Sequence, residues 1–265
     1  MKSILICEGK TDLYLLSYYL GKVHGWESTE TPENRKKYKS RKNPVLKTTT
    51  KEQVQEWYVW GDNTLSMFSA DGNSNIENVF QNILTLLNSV GGEPFEKIVI
   101  LTDRDDEQVE AKLIRNIGQL CSEYSITLHD ELCNNRWCSA SYENNGDKRT
   151  LEILLMIIPF EETGTIETFM LNCMAETECE LVERCRKFVD DLRDEENGID
   201  YVRTRYLNSR GIIPKSKFST YFSIVSPNRT FDAGDKILKP IPWEKYTEVQ
   251  ETFRLLDGLL PQVND

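Results

Sequence analysis

Three carboxylates in this 265-residue chain stand at points where an apolar run ends, and their types and spacing suggest a definite chemistry. Glu8 follows Ile4-Leu5-Ile6-Cys7 and opens the stretch Glu8-Gly9-Lys10-Thr11-Asp12. Asp103 and Asp105 follow Ile98-Val99-Ile100-Leu101-Thr102 as an Asp-x-Asp pair. Carboxylates gathered in one place repel one another unless a proton or cation lies between them, and hard oxygen donors suit Mg2+ or Mn2+. The pattern predicts a divalent-metal site made from Glu8, Asp103 and Asp105 and suited to phosphate chemistry.

The elements that must position these residues follow from the same segments. Short runs rich in Ile and Val, stopped at once by polar residues, read as buried parallel strands. An open α/β sheet binds its ligands beyond the carboxyl ends of its strands, so strands over 3–7 and 97–102 would carry the three carboxylates to one rim. Gly9 is expected to turn the backbone sharply into a helix over about 11–21, with Thr11 or Asp12 at its N-cap and Leu13, Leu16 and Leu20 on its buried face. Strand-like pieces at 57–60 and 65–68, a helix over about 75–90 ended by Gly91-Gly92, and a helix over about 106–122 complete the alternation. Two further strands, 136–142 and 151–158, flank the turn Asn144-Asn145-Gly146-Asp147. Helices are expected over about 165–193, 199–208, 215–224 and 242–259. The fold class is therefore α/β, a mostly parallel sheet flanked by helices, with a core over 1–172 and a helical C-terminal extension over 173–265. Residues 22–55 read as a polar, basic insertion or long loop.

Composition narrows the function. Hydrophobic residues at 39% and charged residues at 28% describe a soluble globular chain, and no apolar run reaches the ~20 residues of a membrane span. Glu8 interrupts the first apolar stretch too early for a signal peptide. Seven cysteines without a Cys-x-x-Cys pair read as reduced thiols, which places the protein in the cytoplasm. With only His24 and His129, imidazole-rich zinc centres, His-based nuclease centres and Ser-His-Asp hydrolases are disfavoured. The net charge of −11 argues against broad nonspecific nucleic-acid binding, but it leaves room for a local basic path. One candidate path is the run holding Arg35, Lys36, Lys37, Lys39, Arg41, Lys42, Lys47 and Lys51, either a solvated loop or a phosphate-contacting arm.

Glu-Gly-x-x-Asp after an N-terminal strand and Asp-x-Asp after a later one resemble the Toprim domain, the unit shared by bacterial-type primases, type IA and type II topoisomerases and OLD-family nucleases. The resemblance implies a Rossmann-like fold. It also implies a glutamate, here Glu8, that moves protons or binds metal, and an aspartate pair, here Asp103 and Asp105, that holds Mg2+ (or Mn2+), with Asp12 as a further ligand candidate. It extends to uncharacterised OLD-like Toprim proteins through Gly164-Thr165-Ile166-Glu167 and Pro214-Lys215-Ser216-Lys217-Phe218. There it implies Glu167 as an additional metal ligand and Lys217, or Lys215, as the cation that neutralises a phosphate in the transition state. Two departures stand out: Glu107-Gln108 replaces the glycine usual after Asp-x-Asp in primases and topoisomerases, and no ATPase P-loop is present.

The implied activity is metal-dependent phosphodiester hydrolysis of DNA or RNA, in defence or repair, with an ATPase or another defence-system component as a protein partner. Two alternatives stand beside it. One is a non-catalytic Toprim-fold module that binds nucleic acid or a partner, since fold does not dictate activity. The other is a phosphatase-like enzyme with Asp103 as nucleophile, which leaves Glu8 unexplained. Read singly, Glu8 also serves as a strand-end carboxylate capping a helix, and Asp103–Asp106 as an acidic helix cap.

Overall fold

A computed structural model describes residues 1–31, 33–34, 46, 48–89, 95–229, 236 and 238–260. Its strands are β1 (Lys2–Cys7), β2 (Glu27–Ser28), β3 (Val54–Trp60), β4 (Asn63–Ser69), β5 (Lys97–Asp103), β6 (Thr127–Leu128), β7 (Arg136–Asn144) and β8 (Asp147–Ile158). They form one sheet in the order β2-β3-β4-β1-β5-β8-β7-β6. The α/β class holds, but the sheet is mixed and not mostly parallel. β1 runs parallel to both β4 and β5. The pairs β2·β3, β3·β4, β7·β8 and β6·β7 are antiparallel. The reason lies in the connections. Two residues, Gly61 and Asp62, join β3 to β4, and Asn145-Gly146 joins β7 to β8, each of the latter pair at positive φ (54° and 83°). A two-residue loop can only reverse the chain, so each hairpin adds an antiparallel pair beside the parallel centre.

The chain divides into two compact units. The first comprises 1–102, 108–157 and 253–265 and holds most of the sheet. Its helices are α1 (Lys10–His24), α2 (Asn73–Leu87) and α3 (Val109–Glu123). Ile4, Ile6, Ile98 and Ile100 pack with Phe80 and Ile83 of α2 and Ile117 of α3 in one core. Leu5 and Val99, which alternation turns to the other face of the sheet, are equally inaccessible. Both faces are thus covered, which is why these strands read as unbroken apolar runs. α2 ends at Leu87 with Asn88 as its cap, short of the expected Val90; Gly91 and Gly92 lie outside the described residues. α3 begins only at Val109, so Asp106 stands ahead of the helix and Gln108 takes the cap position. Of the basic run, only Lys51 falls within the described residues.

The second unit comprises 103–107 and 158–252. It holds α4 (Ile166–Arg193), α5 (Asp200–Arg205), α6 (Ile212–Val225) and nearly all of α7 (Thr247–Phe253). The division expected at residue 172 falls inside α4. The single helix expected over 242–259 is instead α7 between two 3-10 turns, 243–245 and 254–259. The unit's core gathers Phe169, Cys173, Val182, Tyr221, Phe222 and Trp243. α4 breaks its own helical geometry at Glu178 (φ −130°, ψ 41°), whose carboxylate accepts the Tyr221 hydroxyl at 3.1 Å.

Candidate functional site

In the first unit, Glu8 directly follows β1. The parallel register that pairs Cys7 with Leu101 brings it level with Thr102. Thr102 is fully buried, and its hydroxyl donates to Glu8 Oε2 at 2.8 Å. A buried hydroxyl aimed at a carboxylate fixes its orientation. Thr102 is also the residue bonded to Asp103.

Asp12 is placed otherwise than as a cap residue. Gly9 is the N-cap of α1, and Asp12, three residues on and only 2% exposed, reaches back to accept the Gly9 N–H at 2.7 Å. Its position in the first turn of α1 suits a capping box and the positive end of the helix dipole. Gly9 is extended (φ −130°) and does not make the sharp turn expected of it. What it supplies is room, because a Cβ there would lie 3.1 Å from Asp12 Oδ2. Cys7 is not available as a nucleophile: burial pushes its thiol well up, reinforced by the charges of Asp12, Glu56 and Glu8.

In the second unit the Gly-Thr-Ile-Glu element builds the N-terminus of α4. Gly164 and Arg104 pair as a short antiparallel bridge, with Gly164 N–H donating to Arg104 O at 2.8 Å. Arg104 in turn is tied through its own N–H to Ile158 O and through Nε to Pro159 O. Asp103, 9% exposed, accepts the Ile166 N–H on Oδ1 at 2.8 Å. Thr165, the extended N-cap, donates its hydroxyl to Glu167 Oε2 at 2.9 Å. Asp103 and Glu167, 64 positions apart by their numbers, are thus both anchored at the first turn of one 28-residue helix, where a negative charge is stabilised. A Cβ at Gly164 would approach the Thr168 side chain to 2.8 Å, so this position needs glycine for space.

Asp105 lines a cleft of about 500 Å³ in this unit. Thr165 stands in the same wall, and so do four cationic side chains, Arg186, Arg193, Arg210 and Lys217. Partial desolvation pushes the Asp105 carboxyl up, the neighbouring Asp106 charge adds to this, and Lys215 opposes it. Lys217 is held by Asp190 at 2.8 Å. Arg186 is held by Glu183 at 2.7 Å and Asn172 at 2.5 Å. The arrangement can grip an anion with guanidinium and ammonium groups while offering a carboxylate beside it.

A family model described as a protein of unknown function, DUF3226, matches residues 2–239, a span that includes every carboxylate and lysine named above. The chain belongs to the DUF3226 family. No curated protein matches it. Among solved structures, a hypothetical protein from Pyrococcus horikoshii OT3 is similar at 14% identity and a TM-score of 0.48, covering 98% of this chain and 99% of that one.

Within this DUF3226 protein the candidates Asp105 and Lys217 line one cleft, and the arginines beside them were not among the candidates. Arg186 and Arg193 lie seven residues apart, two turns of α4, and hence on one helical face. That spacing was the available signal, hidden inside a segment dominated by acids. Thr102 and Thr165, which fix Glu8 and Glu167, were also missed; each directly precedes or closely neighbours a candidate carboxylate. Among the described residues no three His, Cys, Asp or Glu side chains converge as a ready metal cage.

Proposed function

We propose that this protein hydrolyses phosphodiester bonds of nucleic acid with the help of Mg2+ or Mn2+, using the cleft of the second unit. The observation that supports this most directly is the company Asp105 keeps: four cations in one wall, within a chain whose net charge is −11. An acidic protein repels polyanions over most of its surface, so four cations collected in a wall with two carboxylates, Asp105 and Glu162, favour a phosphate ligand at that place.

Asp103, Asp105 and Glu167 fit the cation in donor chemistry, since they offer only hard oxygens and Asp103 and Glu167 are each oriented by a hydrogen bond. Mg2+ is commonly held by one or two carboxylates, with waters and substrate phosphates completing its shell, so a three-carboxylate cage is not required. When bound, the cation supplies Lewis acidity toward the phosphate and lowers the pKa of an attacking water. The chain's own part is positioning. Asp103 and Thr165 hold the N-terminus of α4, the arginines orient phosphate oxygens, and Lys217 neutralises charge that grows in the transition state. The resemblance alone assigns proton transfer to Glu8, whose carboxylate Thr102 orients within the first unit.

A Toprim-like architecture belongs to this reading. It is supported by the parallel centre β4-β1-β5 and by acidic residues at the carboxyl ends of β1 and β5. A protein partner, ATPase or defence component, rests on the resemblance alone. A cytoplasmic location is supported by seven free cysteines, and no described helix is long and apolar enough to cross a membrane. A second reading, a nucleic-acid- or partner-binding module without catalysis, is favoured by the lack of a ready cage among the described residues.

The test is incubation with single- and double-stranded DNA and RNA in Mg2+, Mn2+ or EDTA, beside Glu8→Gln, Asp103→Asn and Asp105→Asn. Cleavage that requires metal and falls about 100-fold or more in each folded variant is expected. No cleavage of any substrate, or cleavage indifferent to Asp103 and Asp105, would overturn the hydrolytic reading in favour of the binding module.

A further inference from the structure

Both halves of α4 line the Asp105 cleft, the first through Thr168 and Leu171 and the second through Arg186 and Arg193. A straight helix would set Asn172 about 21 Å from Arg186, too far for their side chains to meet. Yet Arg186 Nη2 donates to Asn172 Oδ1 at 2.5 Å. The non-helical residue Glu178 is therefore where α4 doubles back, and the Asn172–Arg186 bond ties its two arms together. The Asn172 amide is engaged at both ends. Its Nδ2 donates to Glu162 Oε1 at 2.6 Å, and the amide also donates to the Glu248 carboxylate of α7. Two carboxylate acceptors on one side and a guanidinium on the other fix which way the amide points. Glu162 and Arg186 belong to the cleft lining, so Asn172 connects the half-buried Glu248 to two groups of that lining. Arg186 is held by Glu183 as well, at 2.7 Å, but a guanidinium has five donors and these two bonds do not exhaust them.

We propose that Asn172 is a positioning residue that holds Arg186 at the cleft and couples it to Glu248, so that the cleft grips an anion more tightly while Glu248 is protonated. The charges that act on Glu248 are those of Glu162, ahead of α4, and of Glu176 and Arg186, on α4; Cys173 of α4 lies near enough to sense the charge of Glu248 in turn. Glu176 is fixed in place, accepting the Thr247 and Glu248 N–H groups at 2.9 Å each. Once ionised, Glu248 draws on Arg186 and repels an anion beside it. The linkage is reciprocal, so an anion in the cleft also raises the proton affinity of Glu248. Burial pushes that carboxyl up to about 7, which brings the change into an accessible pH range. This coupling rests on the reading that the cleft takes a phosphate-like anion, not on hydrolysis.

The test is calorimetric titration of the full chain with sulfate, whose charge is constant from pH 5 to pH 9, at fixed ionic strength. Affinity is expected to fall about 5-fold as pH rises through about 7. Glu248→Gln is expected to bind at every pH as the parent does at pH 5. Asn172→Ala is expected to bind about 10-fold more weakly at pH 5, because Arg186 is released. Its step is expected to move to higher pH, because the hydrogen bond that favours ionised Glu248 is gone; loosened packing alone would weaken binding without moving the midpoint. An Asn172→Ala midpoint that stays in place would overturn the role of Asn172. A flat profile for the parent, or a step that survives Glu248→Gln and so belongs to another group such as Asp105, would overturn the coupling and leave the anion cleft standing. No sulfate binding at any pH would overturn both. Binding coupled to pH as expected, without cleavage of nucleic acid in Mg2+, keeps the coupling and removes hydrolysis.

Discussion

At the scale of single residues, the carboxylates of this protein differ by what holds them. Glu8, Asp103 and Glu167 each accept a hydrogen bond from a defined donor, Thr102, the Ile166 N–H and Thr165. Glu248 is different. Burial pushes its carboxyl up to about 7, the Glu162 and Glu176 charges add to this, and a hydrogen bond from Asn172 and the charge of Arg186 oppose it. The ordinary value for such a group is 4.5. Between these two values the folded state holds a proton that the unfolded state has released, so stability falls as pH rises from about 4.5 to about 7 and is constant in this respect above. The loss is on the order of 2 kcal/mol. Urea denaturation at pH 5 and pH 8 is expected to show it, and Glu248→Gln to reduce the difference. A parent protein as stable at pH 8 as at pH 5 would contradict the assignment.

At the scale of elements, the N-terminus of α4 carries the most concentrated local design. Gly164-Thr165-Ile166-Glu167 was legible as a unit in the sequence, but the physical reasons for its residues were not. Gly164 is needed because Thr168 lies against it, Thr165 because it is the N-cap, and the Ile166 N–H because it meets Asp103. Gly164→Ala is expected to cost ~1–3 kcal/mol by forcing the Thr168 contact apart, and Thr165→Ala about 1 kcal/mol through loss of the cap. Thermal melts of the two variants rank them; a Gly164→Ala protein as stable as the parent would show that Thr168 can move freely. The parallel strands β1 and β5 were legible because they are buried on both faces and so lack polar interruptions. The mixed character of the sheet was misjudged although Asn145-Gly146 announced a hairpin. The turn fixes the direction of its own two strands, whereas their place beside β5 depends on long-range pairing.

At the scale of the whole molecule, charge and thiols give further expectations. All seven cysteines are free; five are buried and Cys179 is exposed. Reductant is therefore expected to leave the melting temperature unchanged, and brief alkylation of the native protein to label Cys179 first, as peptide mass mapping would reveal. A melting temperature lowered by reductant would point to a disulfide instead. The sequence by itself determined the α/β class, the two buried strands, the acidic residues at their ends and the reduced state of the thiols, because each depends on local polarity or on composition. Only the tertiary structure decided that Asp105 shares a wall with Arg186, Arg193, Arg210 and Lys217, and that Asp103 meets the first turn of α4. Those wall residues are drawn from α4, α6 and the loops ahead of α3 and α6, and an arginine looks the same in sequence whether it faces water or a cleft. Periodicity gives the face of a helix, but what that face meets is settled by packing between elements far apart in the chain.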